Sequence, residues 1–333
     1  MNDFRYTAVA TESEALAAIA RFAGARYIAG GTNILDLMKE TIEAPPLLVD
    51  INALPLRNVE RRGDALSIGA LARMNAVADH PLVREHFPMV AIALEQSASP
   101  QLRNMASIGG NLLQRTRCPY FRDRATPCNK RTPGSGCGAL GGEHRRQAVL
   151  GASEHCIATH ASDLAVALAA LDATVDVTGP HGGRAIALRD FYRLPGETPH
   201  IETSLSAGEL ITTITIPMLS YGADSTYLKV RDRAQYDFAL ASAAVALRLA
   251  GGTIREARIA LGGVATVPWR SREAERLLAN APAERAQFER AAEAALAGAR
   301  GYGQNDFKIL LAKRTLVRAL ETVTERATAR LSL

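Results

Sequence analysis

Residues Tyr27–Lys39 read YIAGGTNILDLMK, and the turn at the centre of this stretch sets the terms for the rest of the chain. The apolar run from Ala25 to Ala29 predicts a short buried strand. It leads directly into Gly30-Gly31-Thr32-Asn33, after which Ile34, Leu35, Leu37 and Met38 fall on one face of a helix. Two glycines between a strand and a helix let backbone amides turn towards a phosphate, and the helix N-terminus adds partial positive charge. Thr32 and Asn33 can cap that helix and donate to the same anion. Strand-Gly-Gly-helix turns also arise for structural reasons alone, and this one lacks the G-x-G-x-x-G spacing of a dinucleotide Rossmann site.

A second glycine pair lies downstream. The segment SASPQLRNMASIGGN (Ser97–Asn111) ends in Ser107, Gly109, Gly110 and Asn111, another nest of N–H groups with small side chains. Two such turns in one chain suit a ligand with two phosphates. Further on, Ser162 caps a helix running from Asp163 through Leu171. There Asp163 either accepts a hydrogen bond from a ribityl or ribose hydroxyl or simply favours the helix N-terminus. Around these turns, Thr11 and Glu14 form a capping box for an Ala-rich helix through Phe22. Strands are predicted at Leu47–Ile51, Ala65–Gly69, Ala173–Thr178 and Leu210–Ile216, with a helix at Met89–Glu95. From about Tyr221 the texture changes to strands at Tyr227–Arg231, Ala239–Leu249 and Arg258–Val264, then helices. The last of these starts at Asn305 and carries Phe307, Leu310, Leu311, Leu316 and Leu320 largely on one face. The reading is α+β, with a separate C-terminal lobe.

All four cysteines, Cys118, Cys128, Cys137 and Cys156, lie between the second glycine pair and Asp163. Residues 112–146 show neither helical nor strand periodicity, and so long an unpatterned segment needs a staple to offset its ordering entropy. Three staples compete. Disulfide frameworks belong to oxidising compartments and to chains too short for a core, whereas this one has 333 residues and 47% apolar composition. Four-cysteine zinc sites bring ligands in close pairs, but the gaps here are nine, eight and eighteen residues. A [4Fe-4S] cluster also takes four thiolates and tolerates irregular spacing. Spacing alone leans towards the cluster and leaves all three open. The segment carries eight cations against Asp123 and Glu143, which reads as a cationic shell for an anionic cluster, a solvated basic loop or a docking patch. Only Tyr120 and Phe121 interleave them and no nucleic-acid motif accompanies them, so nucleic acid is not an expected partner.

Composition sets wide bounds. The length suits two domains, and 22% charged residues describe an ordinary globular protein. No apolar run approaches the roughly 20 residues of a bilayer span. The start, MNDFRYTAVATESEAL, has no apolar export region and no twin arginine, so export would require a signal-bearing partner. There is no nucleophile elbow, zinc-hydrolase motif or obvious acid–base dyad.

Five stretches taken in order, YIAGGTNILDLMK, Ser107–Leu112, THASDLA (Thr159–Ala165), GELI (Gly208–Ile211) and YLKVRDRAQYDFALAS (Tyr227–Ser242), resemble the FAD-binding medium subunits of molybdenum hydroxylases. This is the xanthine dehydrogenase and aldehyde oxidoreductase group, and the resemblance spans essentially the whole chain. The cysteine-bearing insertion, about 113–160, resembles that of periplasmic aldehyde oxidoreductase FAD-binding subunits. A differently spaced relative in hydroxybenzoyl-CoA reductase is the alternative. The resemblance implies a two-subdomain FAD domain of the p-cresol methylhydroxylase (PCMH) type over 1–220, divided near residue 58. A CO dehydrogenase flavoprotein C-terminal-like α+β lobe would follow over 221–333. It implies that Gly30, Gly31, Thr32 and Asn33 hold the FAD pyrophosphate, with Tyr27, Ile28, Ala29 and Ile34 flanking. Ser107, Gly109, Gly110 and Asn111 would meet the phosphate and ribityl region, Asp163 a hydroxyl, and Ile211 and Lys229 the flavin and adenine parts. The four cysteines would ligate a [4Fe-4S] cluster. Implied partners are a large molybdopterin cytosine dinucleotide subunit that oxidises the aldehyde, a small subunit with two [2Fe-2S] clusters, and an external electron acceptor. The implied compartment is the periplasm, with the cytoplasm as alternative.

Overall fold

A computed structural model describes residues 1–331. Three sheets carry the molecule. Strands β1 (Arg5–Ala8), β2 (Arg26–Ile28) and β3 (Leu47–Asp50) form a small parallel sheet in the order β1-β3-β2, with Tyr27 opposite Val49. The helix Glu12–Ala20 crosses between the first two strands, and its capping box is made as expected: Thr11 Oγ1 accepts from the Glu14 amide while Glu14 reaches back to the Thr11 amide. Leu47, Val49, Ala15 and Leu54 close a core under this sheet.

The second sheet is antiparallel. It comprises β4 (Val59–Arg62), β5 (Ala65–Gly69), β6 (Thr174–Gly179), β7 (Gly182–Ala187) and β8 (Leu210–Pro217) in the order β4-β5-β8-β6-β7. Val175, Val177, Ile214 and Ile216 point from it into the largest core, which also holds the helices Pro88–Glu95 and Asp163–Ala170.

The third sheet contains β9 (Ser225–Val230), β10 (Ala241–Ala250), β11 (Thr253–Gly262) and β12 (Trp269–Arg270) in the order β12-β11-β10-β9. Strand β10 (ASAAVALRLA) is buried on both faces over its first seven residues. Its period of two divides the faces between cores: Ala244 and Ala246 join the large core, whereas Ala243, Val245 and Leu247 join the core of the last helices. Alanine on the first face lets the helix Asp163–Ala170 lie close to the sheet, so the lobes meet through apolar contact.

Two expectations are corrected. The last helix, Phe307–Leu331, does bury Leu316 and Leu320, but Phe307 and Leu310 stand exposed at its start. The cysteine segment is less irregular than its sequence suggests. It contains helical turns at Pro119–Arg122 and Gly138–Gly141, and an antiparallel bridge pairs Cys128 with Cys137. Cys118, Phe121, Cys128, Ala139, Cys156 and Ile157 share a small core with Leu37.

Candidate cofactor cleft and thiol cage

The Gly-Gly turn and the second glycine pair face each other across a cleft of about 660 Å³. Gly30, Gly31, Thr32 and Asn33 line one side, Gly110 and Asn111 the other, and Asp163 and Lys229 the floor. A side branch of about 240 Å³ adds Tyr27, Ala29, Ile34 and Ser107. The chemistry of this lining, amide-rich turns beside cationic side chains, fits a diphosphate.

Each turn is held by packing. A Cβ on Gly30 would lie 1.9 Å from the Met105 carbonyl oxygen, so this residue lets the backbones of two subdomains touch. Gly31 has φ +71°, the left-handed region that glycine enters without steric cost. The second motif is the first turn of the short helix Ile108–Leu112 rather than a loop, and Ser107 caps it by accepting from the Gly110 amide at 3.2 Å. Ser107 is therefore mainly engaged within its own helix. Gly109 is buried against Ala70 and serves close packing. Asn111 accepts from the Ser162 hydroxyl, which ties this turn to the start of the helix Asp163–Ala170.

Asp163 is the hub of the floor. One carboxylate oxygen accepts from Tyr227 Oη at 2.6 Å, and the other accepts from Lys229 Nζ at 2.8 Å and Ser97 Oγ at 3.0 Å. Lys229 also donates to the Gln96 carbonyl at 3.1 Å. Asp163 and Lys229 are both almost fully buried, and burial pushes the Tyr227 hydroxyl well above its ordinary pKa. Three of the expected contact residues, Ile28, Gly109 and Ile211, line neither part of the cleft. Ile28 packs against Met38 and Leu48, and Ile211 on β8 belongs to the large core, so neither side chain is available to a ligand.

The sequence reading missed the roof. Arg233, Tyr236, Asp237 and Phe238, between β9 and β10, cover the cleft, and Arg117, Arg122 and Arg146 of the cysteine segment complete it. Arg146 pairs with Asp237 at 2.9 Å and with Asp232 at 2.7 Å, Arg145 forks onto Asp232, and Arg117 lies over the Phe238 ring at 5.1 Å. The available signal was RDRAQYDF (Arg231–Phe238), a polar run between two strands.

No disulfide joins any of the four cysteines. Cys118, Cys128, Cys137 and Cys156 all line one small cavity with Tyr120, Phe121, Asn129 and Lys130. Among the described residues no three such groups converge as closely as a single metal ion requires, so a lone zinc fits poorly. Four thiols around one small cavity are a donor set of the kind that an iron-sulfur cluster takes. Burial pushes the Cys156 thiol up to about 11 and raises Cys118 as well, so the protein alone does not hold them as thiolates. The basic residues do not form the expected shell around this cage. Of the eight only Lys130 lines it; Arg115 pairs with Glu43 and Glu202, Arg122 with Asp36 and Glu40, and Arg131 donates to the Tyr120, Phe121 and Thr126 carbonyls.

A cleft between two subdomains, lined by amide-rich turns and roofed by the β9–β10 loop, suits a subunit that carries a dinucleotide cofactor. The family described as FAD binding domain in molybdopterin dehydrogenase matches residues 2–219, and that described as CO dehydrogenase flavoprotein C-terminal domain matches 226–323. The chain belongs to the FAD-binding medium subunits of molybdenum hydroxylases of the aldehyde oxidoreductase and CO dehydrogenase type. It is 49% identical over 333 residues to the aldehyde oxidoreductase FAD-binding subunit PaoB of Escherichia coli, covering 98% of this chain and 100% of that one. The glyceraldehyde dehydrogenase medium chain of Sulfolobus acidocaldarius is 30% identical, with 82% and 80% covered. Among solved structures, carbon monoxide dehydrogenase from Hydrogenophaga pseudoflava superposes with a TM-score of 0.77 at 27% identity over 98% of both chains. Among the described residues no helix is long and apolar enough to cross a membrane.

Proposed function

We propose that this chain is the FAD- and [4Fe-4S]-containing electron-transfer subunit of a molybdenum-dependent aldehyde oxidoreductase. In the overall reaction an aldehyde and water give a carboxylic acid, two protons and two electrons. Oxidation of the aldehyde takes place on a large subunit bearing molybdopterin cytosine dinucleotide. A small subunit with two [2Fe-2S] clusters passes the electrons to this chain, and an external acceptor takes them away. The observation that carries the aldehyde reading is the end-to-end 49% identity with an aldehyde oxidoreductase FAD-binding subunit.

When bound, the flavin would take up electrons from one partner and release them to another, and the cluster would add a one-electron centre beside it. The residues of this chain bind and orient. Gly30–Asn33 and Gly110–Asn111 would offer main-chain and amide donors to the pyrophosphate, and the buried Asp163–Lys229 pair fixes the floor of the cleft that would hold the flavin. Cys118, Cys128, Cys137 and Cys156 would ligate the cluster; their shared cavity and their freedom from disulfides support this. Metal charge would supply what burial denies Cys118 and Cys156, a reason to stay deprotonated. The proposed location is the periplasm, reached folded with a partner that carries the export signal.

Anaerobic purification followed by flavin, iron and sulfide analysis tests the cofactor content, with one FAD and four irons per chain expected. Colourless protein with stoichiometric zinc would overturn it. Co-purification with a molybdopterin subunit and turnover of aromatic aldehydes are expected, whereas turnover of aromatic CoA thioesters in their place would support the reductase alternative. Cell fractionation with and without the export signal of the large subunit tests the location.

A further inference from the structure

The cysteine segment reaches the cofactor cleft through two arginines that nothing above explains. Arg117 and Arg122 both line the cleft that contains Gly30–Asn33. The Nη1 atom of each is buried and has no hydrogen-bond partner among the described residues, and the same is true of Asn33 Nδ2. Each of these groups is held in place by its other atoms. Arg122 Nη2 is paired at 2.7 Å with both Asp36 and Glu40, on and just after the helix that leaves the Gly-Gly turn. Arg117 is stacked on Phe238. Asn33 Oδ1 accepts from the Arg115 amide at 3.1 Å, which turns its NH₂ group away from that contact.

Two guanidinium groups side by side, each with an unpaired buried N–H, are unfavourable without an anion between them. The cleft as a whole carries six Lys or Arg side chains against three Asp, and each of the three is already paired with a cation. An arginine fork matches phosphate oxygens better than any other side chain does.

We propose that Arg117 and Arg122 bind the pyrophosphate of the flavin cofactor together with Asn33, so that the cysteine segment completes the phosphate site of the FAD cleft. This rests on the reading of the cleft as the FAD site and adds to it the residues that neutralise the cofactor's charge. The insertion thereby acquires a second role, because whatever orders the cysteines also aligns Arg117, the residue immediately before Cys118.

The test uses the full chain, stripped of flavin and titrated with FAD, ADP and riboflavin. For Arg117→Gln and Arg122→Gln, FAD and ADP binding is expected to weaken at least about tenfold, with riboflavin binding unchanged. Arg117→Lys should recover part of the loss. Arg124→Gln, whose native side chain donates only to Thr41 outside the cleft, serves as the control and should bind all three like wild type. Unchanged FAD and ADP affinity in both arginine variants would overturn the proposal, as would an equal loss for riboflavin, which marks a merely structural role. Gly31→Val separates the two levels. If it keeps full FAD affinity, the cleft reading fails and this inference falls with it; if it loses FAD while the arginine variants keep theirs, only the arginine assignment fails.

Discussion

Gly30 was legible in the sequence as a turn residue, but the reason for it was not. Local pattern points to a phosphate that needs room, whereas the structure has the Met105 carbonyl 1.9 Å from where a Cβ would be, a contact between residues 75 positions apart. Gly31 is constrained differently, by φ +71° and by Leu35 Cδ1 at 2.9 Å. Gly30→Ala should therefore cost more than Gly31→Ala: backbone must move in the first case, about 3 kcal/mol or more, against about 1–2 kcal/mol for left-handed strain and a yielding leucine in the second. Urea titration of both variants checks the order, and equal losses would count against it. His160 gives a prediction in pH. Its Nδ1 accepts from the Ser162 amide at 3.3 Å, its ring meets Tyr192 edge to face at 4.5 Å, and burial pulls its pKa down to about 4. Glu202, which acts to raise it, and Lys130, which acts to lower it, are the charged groups facing it. An unfolded histidine takes up a proton near pH 6.5, the folded one only near 4, so this residue's contribution to stability is complete above 6.5 and is lost as pH falls towards 4. Melting temperatures of wild type and His160→Gln, measured from pH 7.5 to 4.5, should converge on acidification; a constant gap would refute the assignment.

At the scale of elements, the cysteine segment is built from contacts the sequence could not announce. Spacing identifies the four thiols as a set but leaves open whether the nearby cations face them, and four of these cations, Arg115, Arg122, Arg145 and Arg146, pair instead with Glu43, Glu202, Asp36, Glu40, Asp232 and Asp237. Those partners come from three distant stretches of chain, and no local pattern encodes such pairings. The elements themselves were largely legible: the alternation in β8 and the apolar run of β10 located both strands to within about two residues. The missed β1, β4 and β7 have largely exposed residues, so their alternation is blurred. Two predictions belong here. Cys128→Ser, by removing one ligand of the proposed cluster, should lower iron below four per chain and open residues 112–160 to protease while the C-terminal lobe stays resistant. Full iron content and no new cleavage would refute it. Arg146→Gln, which releases the roof between β9 and β10, should have a modest effect. Its guanidinium is half exposed and such pairs contribute about 0.2–1 kcal/mol each, so the FAD dissociation rate should rise roughly two- to tenfold without loss of bound flavin at saturation. Stopped-flow displacement of FAD measures it directly.

Across the whole molecule, the position of the flavin cleft depends on how the third sheet is fixed to the other two, and the buried polar link is Asp163. Its carboxylate gathers Ser97 from the second subdomain and Tyr227 and Lys229 from β9 of the C-terminal lobe. The sequence left Asp163 open between a cofactor hydroxyl and the start of its own helix, and gave no sign of these protein partners. The lobe that supplies the actual partners lies more than sixty residues later. A buried ion pair of this kind is better evidence of alignment than of net stability, since the desolvation of two charges offsets most of their attraction. Breaking it from one side leaves the other charge buried alone, which costs about 3–5 kcal/mol. Asp163→Asn and Lys229→Met should each therefore destabilise the chain strongly, the aspartate variant also leaving Tyr227 without its acceptor. The double variant should recover a substantial part of the summed loss, because neither charge then remains unpaired. Flavin affinity should not recover with it, since the restored stability comes without the polar floor of the proposed flavin cleft. Denaturant unfolding of the three variants, paired with FAD titration, separates these effects. Additive losses in stability would mean the pair does not act as a unit, and recovery of FAD affinity in the double variant would show that the lobes find their alignment without it.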